Sequence, residues 1–150
     1  MLLIFSVRAT GFSYEIMCLG KERLERHLKD LKKNKDTISN KEQDILRDGR
    51  IVQEMYARGF EFMPIDLYRA EPHRFQIIDG KLMPSFNSIE GLGDNAAIAI
   101  AEAAKDGPFL SKDDFRERTK ASKTIVELMS DLGLLGDLPD SNQLSLFDFA

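Results

Sequence analysis

Ile89-Glu90-Gly91-Leu92-Gly93-Asp94-Asn95-Ala96 runs apolar, acidic, glycine, apolar, glycine, and then into the start of a helix. Glycine has no Cβ, so it can take φ > 0 and let another backbone come close. A turn of this kind aims successive N–H groups into one concavity that suits an anion. Asp94 or Asn95 is expected to cap the helix that follows, which runs through Ala104. The free N–H groups and positive dipole end of that helix add to the anion site. The plain alternative is a tight turn with no ligand. A dinucleotide-binding fingerprint is excluded, because no third glycine follows at the required place and no buried strand precedes.

Outside this stretch the composition sets limits. The chain has 150 residues, 43% hydrophobic and 31% charged, enough for a real core in about one domain's worth of sequence. Its net charge of −4 argues against an indiscriminate polyanion binder but leaves room for a local contact through backbone amides. Charge is uneven: Lys29, Lys32, Lys33 and Lys35 cluster early, whereas Asp131, Asp137, Asp140 and Asp148 make the end acidic. A solvated helix end accounts for the lysines. A lone Cys18 excludes an internal disulfide and suits a reducing cytoplasm. Met1 to Phe5 is apolar but short and is ended by Arg8, which fits neither a signal peptide nor a membrane span. It reads as the end of a buried element, with apolar patches expected around Leu2, Ile4 and Phe5 if neighbouring domains are missing.

Helical spacing of Leu24, Leu28 and Leu31 predicts a helix over 21–33. A second is expected over 41–58, with Ser39 or Asn40 as its cap supported by Glu42, Ile45, Ile51, Val52 and Met55 as its core, Gly49 weakening it and Gly59 ending it. Residues 60–67 read as an edge strand or connector because of Pro64. Asp79-Gly80 between Phe75–Ile78 and Lys81–Met83 is a strong hairpin signal, followed by a short helical turn over 85–89. Asp106-Gly107-Pro108 breaks the chain, and Phe109-Leu110 is expected to pack back on the core. Ser111 and Asp114 cap a short helix to Arg118, and 122–132 forms another closed by Gly133. From Gly136 periodicity is lost and an exposed tail is expected.

The Gly-Leu-Gly turn resembles the hairpin of a helix-hairpin-helix module, which holds the DNA backbone without reading bases. Residues 113–135 suggest a second, degenerate copy in which Thr119-Lys120-Ala121 replaces the glycine turn, with Lys120 and Lys123 in reach of phosphate. On the polar tail, Gln143-Leu144-Ser145-Leu146-Phe147 has the make-up of a short linear ligand, apolar anchors with one polar residue. The other option is that these side chains tuck onto their own domain. No catalytic residue is assigned: Asp113-Asp114 is explained by capping, and His27, His73 and Cys18 are too isolated for a metal or nucleophile set.

Phe5–Ala9, Met55–Phe60, Ile65–Arg69, Phe86–Gly93, Phe109–Asp114, Ser122–Thr124 and Asp137–Asp140, in that order, resemble the C-terminal region of the PolC-type DNA polymerase III alpha subunit. The similarity runs over nearly the whole chain. It implies an α+β fold, mostly α-helical, with a helix-hairpin-helix duplex-binding domain, a small β-hairpin and a flexible C-terminal tail. It divides the chain into 1–59 from the fingers region, a 60–86 connector and hairpin, an 87–136 DNA-binding domain and a 137–150 tail. It places Gly91, Leu92, Gly93, Asp94 and Asn95 against double-stranded DNA, without sequence preference. It also makes Gln143 to Phe147 a ligand for the bacterial sliding clamp. The resemblance further implies the rest of the polymerase as the other partner, no membrane, and a cytoplasmic location. The whole polymerase would be a nucleotidyltransferase needing Mg2+, whereas this part carries no cofactor and no activity of its own. The chain departs from the family at Ala104, where an arginine is frequent, and in the Asp148-Phe149-Ala150 that follows Phe147. The rival expectations are a stand-alone helix-hairpin-helix module, or an interaction domain whose only functional part is the C-terminal peptide.

Overall fold

A computed structural model describes residues 12–34 and 36–141. Lys35, the Leu2–Phe5 segment and the Gln143–Phe147 motif lie outside the described residues. The described chain is mostly helical with one small antiparallel hairpin, as expected from its sequence.

It opens with a short helix α1 (Tyr14–Met17), capped by Ser13, whose Oγ accepts from the Ile16 N–H. At four residues α1 leaves no periodic signature, and sequence reading missed it. Helices α2 (Lys21–Lys33) and α3 (Asn40–Ala57) follow and pack on each other. Leu24, Leu28 and Leu31 form the buried stripe of α2, as their spacing requires. Ser39 and Glu42 close a full capping box at the start of α3. Ile45, Val52 and Met55 are buried, but Ile51 is only half-buried. Gly49 is not simply a weak point in the helix. A Cβ there would lie 2.6 Å from Leu28 Cδ2, so the missing side chain lets α2 and α3 approach closely.

Residues 60–67 are a connector whose only strand pairing among the described residues is a parallel bridge from Phe62 to Leu82. Its rungs are Leu82 N–H to Glu61 O (2.9 Å) and Met63 N–H to Leu82 O (2.8 Å). Strands β1 (Gln76–Ile78) and β2 (Lys81–Met83) pair antiparallel, Ile77 opposite Leu82. Asp79 and Gly80 both have positive φ, 52° and 78°, as a type I′ turn demands. A 3₁₀ turn (Phe86–Ser88) then leads to α4 (Asp94–Lys105), α5 (Lys112–Thr119) and α6 (Lys123–Asp131). Met129 is buried in α6, while Ile125, Val126, Leu128 and Leu132 are partly buried against the same core.

One hydrophobic cluster runs from Tyr14 to Leu135, so the early helices and the late ones share a core. Tyr14, Phe86 and Phe115 are its largest fully buried side chains. Phe109 returns to this core as expected, stacked beside Tyr68 and edge-on to Phe115, but Leu110 does not and is 65% exposed. The exposed tail expected from Gly136 onward is not what the described residues show as far as Asp140. Pro139 and Asp140 are engaged, their carbonyls accepting from the Lys112 and Asp113 amides at 2.8 and 3.1 Å. Proline and glycine end periodicity, but they do not prevent docking of the backbone.

Candidate nucleic-acid interface

The first hairpin spans Ile89 to Gly93, between the 3₁₀ turn and α4. Ile89 and Leu92 are buried and pin the turn to the core. The Leu92 N–H donates to Ile89 O at 3.1 Å, so this amide is already used inside the turn. Only Gly91 needs glycine for its backbone, with φ +92°. A Cβ there would meet Leu128 Cδ2 of α6 at 3.4 Å, which brings the first hairpin against the second pair of helices. Gly93 has φ −74° and ψ 167°, which any residue adopts, and open space where a Cβ would stand.

Gly93, not Asp94 or Asn95, is the N-cap of α4, which corrects the capping expected from sequence. The Cap position needs extended backbone, and Asp94 is already helical. No side chain caps this end, so the first-turn amides of Asp94, Asn95 and Ala96 point outward without an intrahelical acceptor. Asp94, Asn95 and Gly93 are all exposed.

Two carboxylates flank this end and both are partnered. Glu90 forms an ion pair with Lys41 of α3. Asp94 Oδ1 lies 3.3 Å from His73 Nε2. Neither contact leaves a signature in sequence, because the partners sit 49 and 21 positions apart with no periodic relation. The His73 loop is likewise settled internally. Arg74 holds the Glu71 carboxyl below its usual range, with Lys105 adding to the effect. Burial pushes the Asp66 carboxyl up, but the Tyr68 amide and the Arg69 guanidinium outweigh it and the net shift is downward.

The second hairpin, residues 120–122, joins α5 to α6. Lys120 takes the left-handed conformation (φ 58°, ψ 25°) that glycine supplies in the first. Lys123 is the first residue of α6, and both lysines are exposed. Ser122 caps α6 through the Ile125 N–H, leaving the Lys123 and Thr124 amides without an intrahelical acceptor.

The three helix starts therefore differ. At α5 the Lys112 and Asp113 amides are taken by carbonyls of Pro139 and Asp140, and the Asp114 amide by Ser111 Oγ. That start cannot take an anion. The starts of α4 and α6, each just after a hairpin, are open among the described residues.

Arg118 of α5 ties that helix to the end of α4 and the turn that follows it. Its Nη2 donates to Ala103 O (2.7 Å) and Gly107 O (2.9 Å), and its Nη1 to Pro108 O (3.0 Å). The same group pairs with Asp114 and lies 4.4 Å from the Phe109 ring centroid. Sequence shows only its i,i+4 relation to Asp114; the three carbonyls become visible once the break at Asp106–Pro108 is folded. Among the described residues no group of three or more His, Cys, Asp or Glu side chains could hold a metal ion, and no helix is long and apolar enough to cross a membrane.

Comparison with known proteins agrees with this geometry. A family model described as the helix-hairpin-helix motif matches residues 59–144. A DNA polymerase III PolC-type of Bacillus cereus is 45% identical over 144 residues, covering 95% of this chain and 10% of the relative. The protein of the same name from Caldanaerobacter subterraneus is 43% identical over 143 residues, with the same shares covered. That from Streptococcus pyogenes is 42% identical over 146 residues, 96% of this chain and 10% of the relative. The chain thus spans about a tenth of the length of the curated relatives it matches. The matched span takes in both hairpins and both open helix starts, and this chain belongs to the helix-hairpin-helix family.

Proposed function

We propose that this chain is the C-terminal part of a bacterial replicative DNA-directed DNA polymerase, where it grips the duplex backbone and tethers the enzyme to the sliding clamp. The observation that carries the reading is the open start of α4 behind the Gly91 turn. The amides of Asp94, Asn95 and Ala96 converge there in the way helix starts receive phosphate. Gly91 shapes the turn, Leu92 anchors it, and Gly93 lets a phosphate approach. Lys120 and Lys123 reach neighbouring phosphates from the second hairpin. Such contacts position the protein without reading sequence, which suits an enzyme that must move along any template. Similarity to the PolC-type polymerases across nearly the whole chain adds weight.

Nucleotidyl transfer would be the work of the rest of the polymerase, on Mg2+ held by carboxylates outside this chain, in the cytoplasm. The Gln143–Phe147 peptide supplies the tether: Leu144, Leu146 and Phe147 fill an apolar cleft on the clamp and Gln143 bonds at its rim. A tether raises effective concentration, so a weak peptide contact sustains long synthesis.

Calorimetric titration of a bacterial sliding clamp with the 150-residue chain, and with a Leu146→Ala, Phe147→Ala double variant, tests the tether. Heat of binding that vanishes in the variant is expected; no binding by either chain refutes it. Fluorescence anisotropy with a short duplex at several salt concentrations tests the grip, and binding that ignores salt refutes it.

A further inference from the structure

We infer that Arg116 is a phosphate ligand of the second hairpin, so that α5 and α6 supply the cationic part of the duplex contact while the first hairpin supplies amides. The inference rests on the duplex-binding reading above.

The first hairpin has little free positive charge. Lys41 is committed to Glu90, and His73 faces Asp94. Arg69 and Arg74 in the nearby loop are committed to Asp66 and Glu71. On the late helices, Arg118 is saturated by carbonyls and Lys112 lies 3.6 Å from Asp140. Arg116, Lys120 and Lys123 are different. All three are exposed and none forms an ion pair among the described residues.

Their spacing gathers them. Arg116 lies in the last turn of α5, and Lys120 is the C-cap of that helix four positions on. Lys123 opens α6 across the hairpin. Arg116 and Lys123 line one cleft of about 280 Å³ between the two helices. Asp113 and Glu127 line it too, along with the Lys112–Asp140 pair. Asp113 sits in the first turn of α5, where the helix dipole favours a negative charge. Glu127 stands one turn into α6 from Lys123, so the cation excess lies at the hairpin end of the cleft, beside the open Lys123 and Thr124 amides. An anion entering there meets two amides, Lys123 and a planar guanidinium that can grip two phosphate oxygens at once, with Lys120 in the adjoining hairpin turn. In a chain of net charge −4, three exposed cations without an ion pair around the proposed duplex-binding turn are a place where counterion release can arise.

Anisotropy titrations of a short blunt DNA duplex with the 150-residue chain, over a series of NaCl concentrations, test this. Arg116→Gln is expected to weaken binding by roughly tenfold at low salt and to reduce the slope of log K against log salt by about 0.9. Arg116→Lys should keep the slope. Arg50→Gln, at an exposed arginine of α3, should change neither quantity. Circular dichroism confirms folding of each variant. An unchanged slope in Arg116→Gln, with the parent chain binding duplex, overturns the inference and leaves the duplex reading standing. Salt-independent or absent binding by the parent chain overturns both. An equal loss on a single strand of the same length overturns the assignment to duplex.

Discussion

Replacing Arg118 by leucine keeps most of the side chain's apolar stem and removes its guanidinium. Three backbone carbonyls lose a charge-assisted donor: those of Ala103, Gly107 and Pro108. A buried bond of that type contributes about 1.5–3 kcal/mol. The three do not add in full, because the side chain is 25% exposed and water can reach part of the space vacated. The ion pair with Asp114 contributes about 0.3–0.5 kcal/mol, and the stacking on Phe109 about 0.5–1 kcal/mol. The expected loss is about 2–3 kcal/mol, which for a chain of this size lowers Tm by about 4–12 °C. Urea unfolding followed by circular dichroism measures it. Arg118→Lys should recover less than half, since one ammonium cannot span three acceptors. At temperatures where the Arg118→Leu chain is folded, its duplex binding should keep the parent salt slope, because these N–H groups face carbonyls and not solvent. A loss below about 0.5 kcal/mol with an unchanged m value would refute the view that Arg118 locks α4 to α5.

Other outcomes follow from the same geometry. Gly49→Ala gains about 1 kcal/mol of helix propensity but drives a Cβ to 2.6 Å from Leu28, an overpacking cost of about 1–3 kcal/mol, so chemical denaturation should show no net stabilisation. Gly93→Asp should raise stability by a few tenths of a kcal/mol, since it adds a capping side chain to an uncapped helix, while weakening duplex binding by putting a carboxylate where phosphate would sit. A thermal scan and an anisotropy titration on one sample reveal whether the two effects part. The Tyr56 hydroxyl donates to Met17 O at 2.7 Å, and burial first and Cys18 second push its pKa up to about 12. Its raised value favours the neutral phenol in the fold, so that share of stability is present below pH 10 and lost as pH rises toward 12. Burial raises the Tyr14 hydroxyl as well, so a phenolate absorbance titration should show late-titrating tyrosines whose latest step Tyr56→Phe removes.

Much of this was legible in the sequence because local rules sufficed. Leucines at helical spacing set α2, the Ser39–Glu42 box set the start of α3, and Asp79-Gly80 set the hairpin. In each case the residues that decide the conformation lie within a few positions of one another. The Gly91 turn was legible for the same reason, since its φ of +92° is a property of one residue. Which residue capped α4 was not, because Gly93, Asp94 and Asn95 all tolerate the cap and the choice came from where Leu92 had to be buried.

Tertiary structure alone decided which helix starts are open. The amides of α5 are closed by Pro139 and Asp140, more than twenty residues on, and nothing near Ser111 announces it. It decided equally that Arg118 is spent on carbonyls while Arg116, two residues earlier, is free to face solvent. Composition treats these two arginines alike. A cation's availability depends on the acceptors the fold brings to it, and those are set by long-range packing, whereas turns and caps are set by short-range sterics that sequence carries directly.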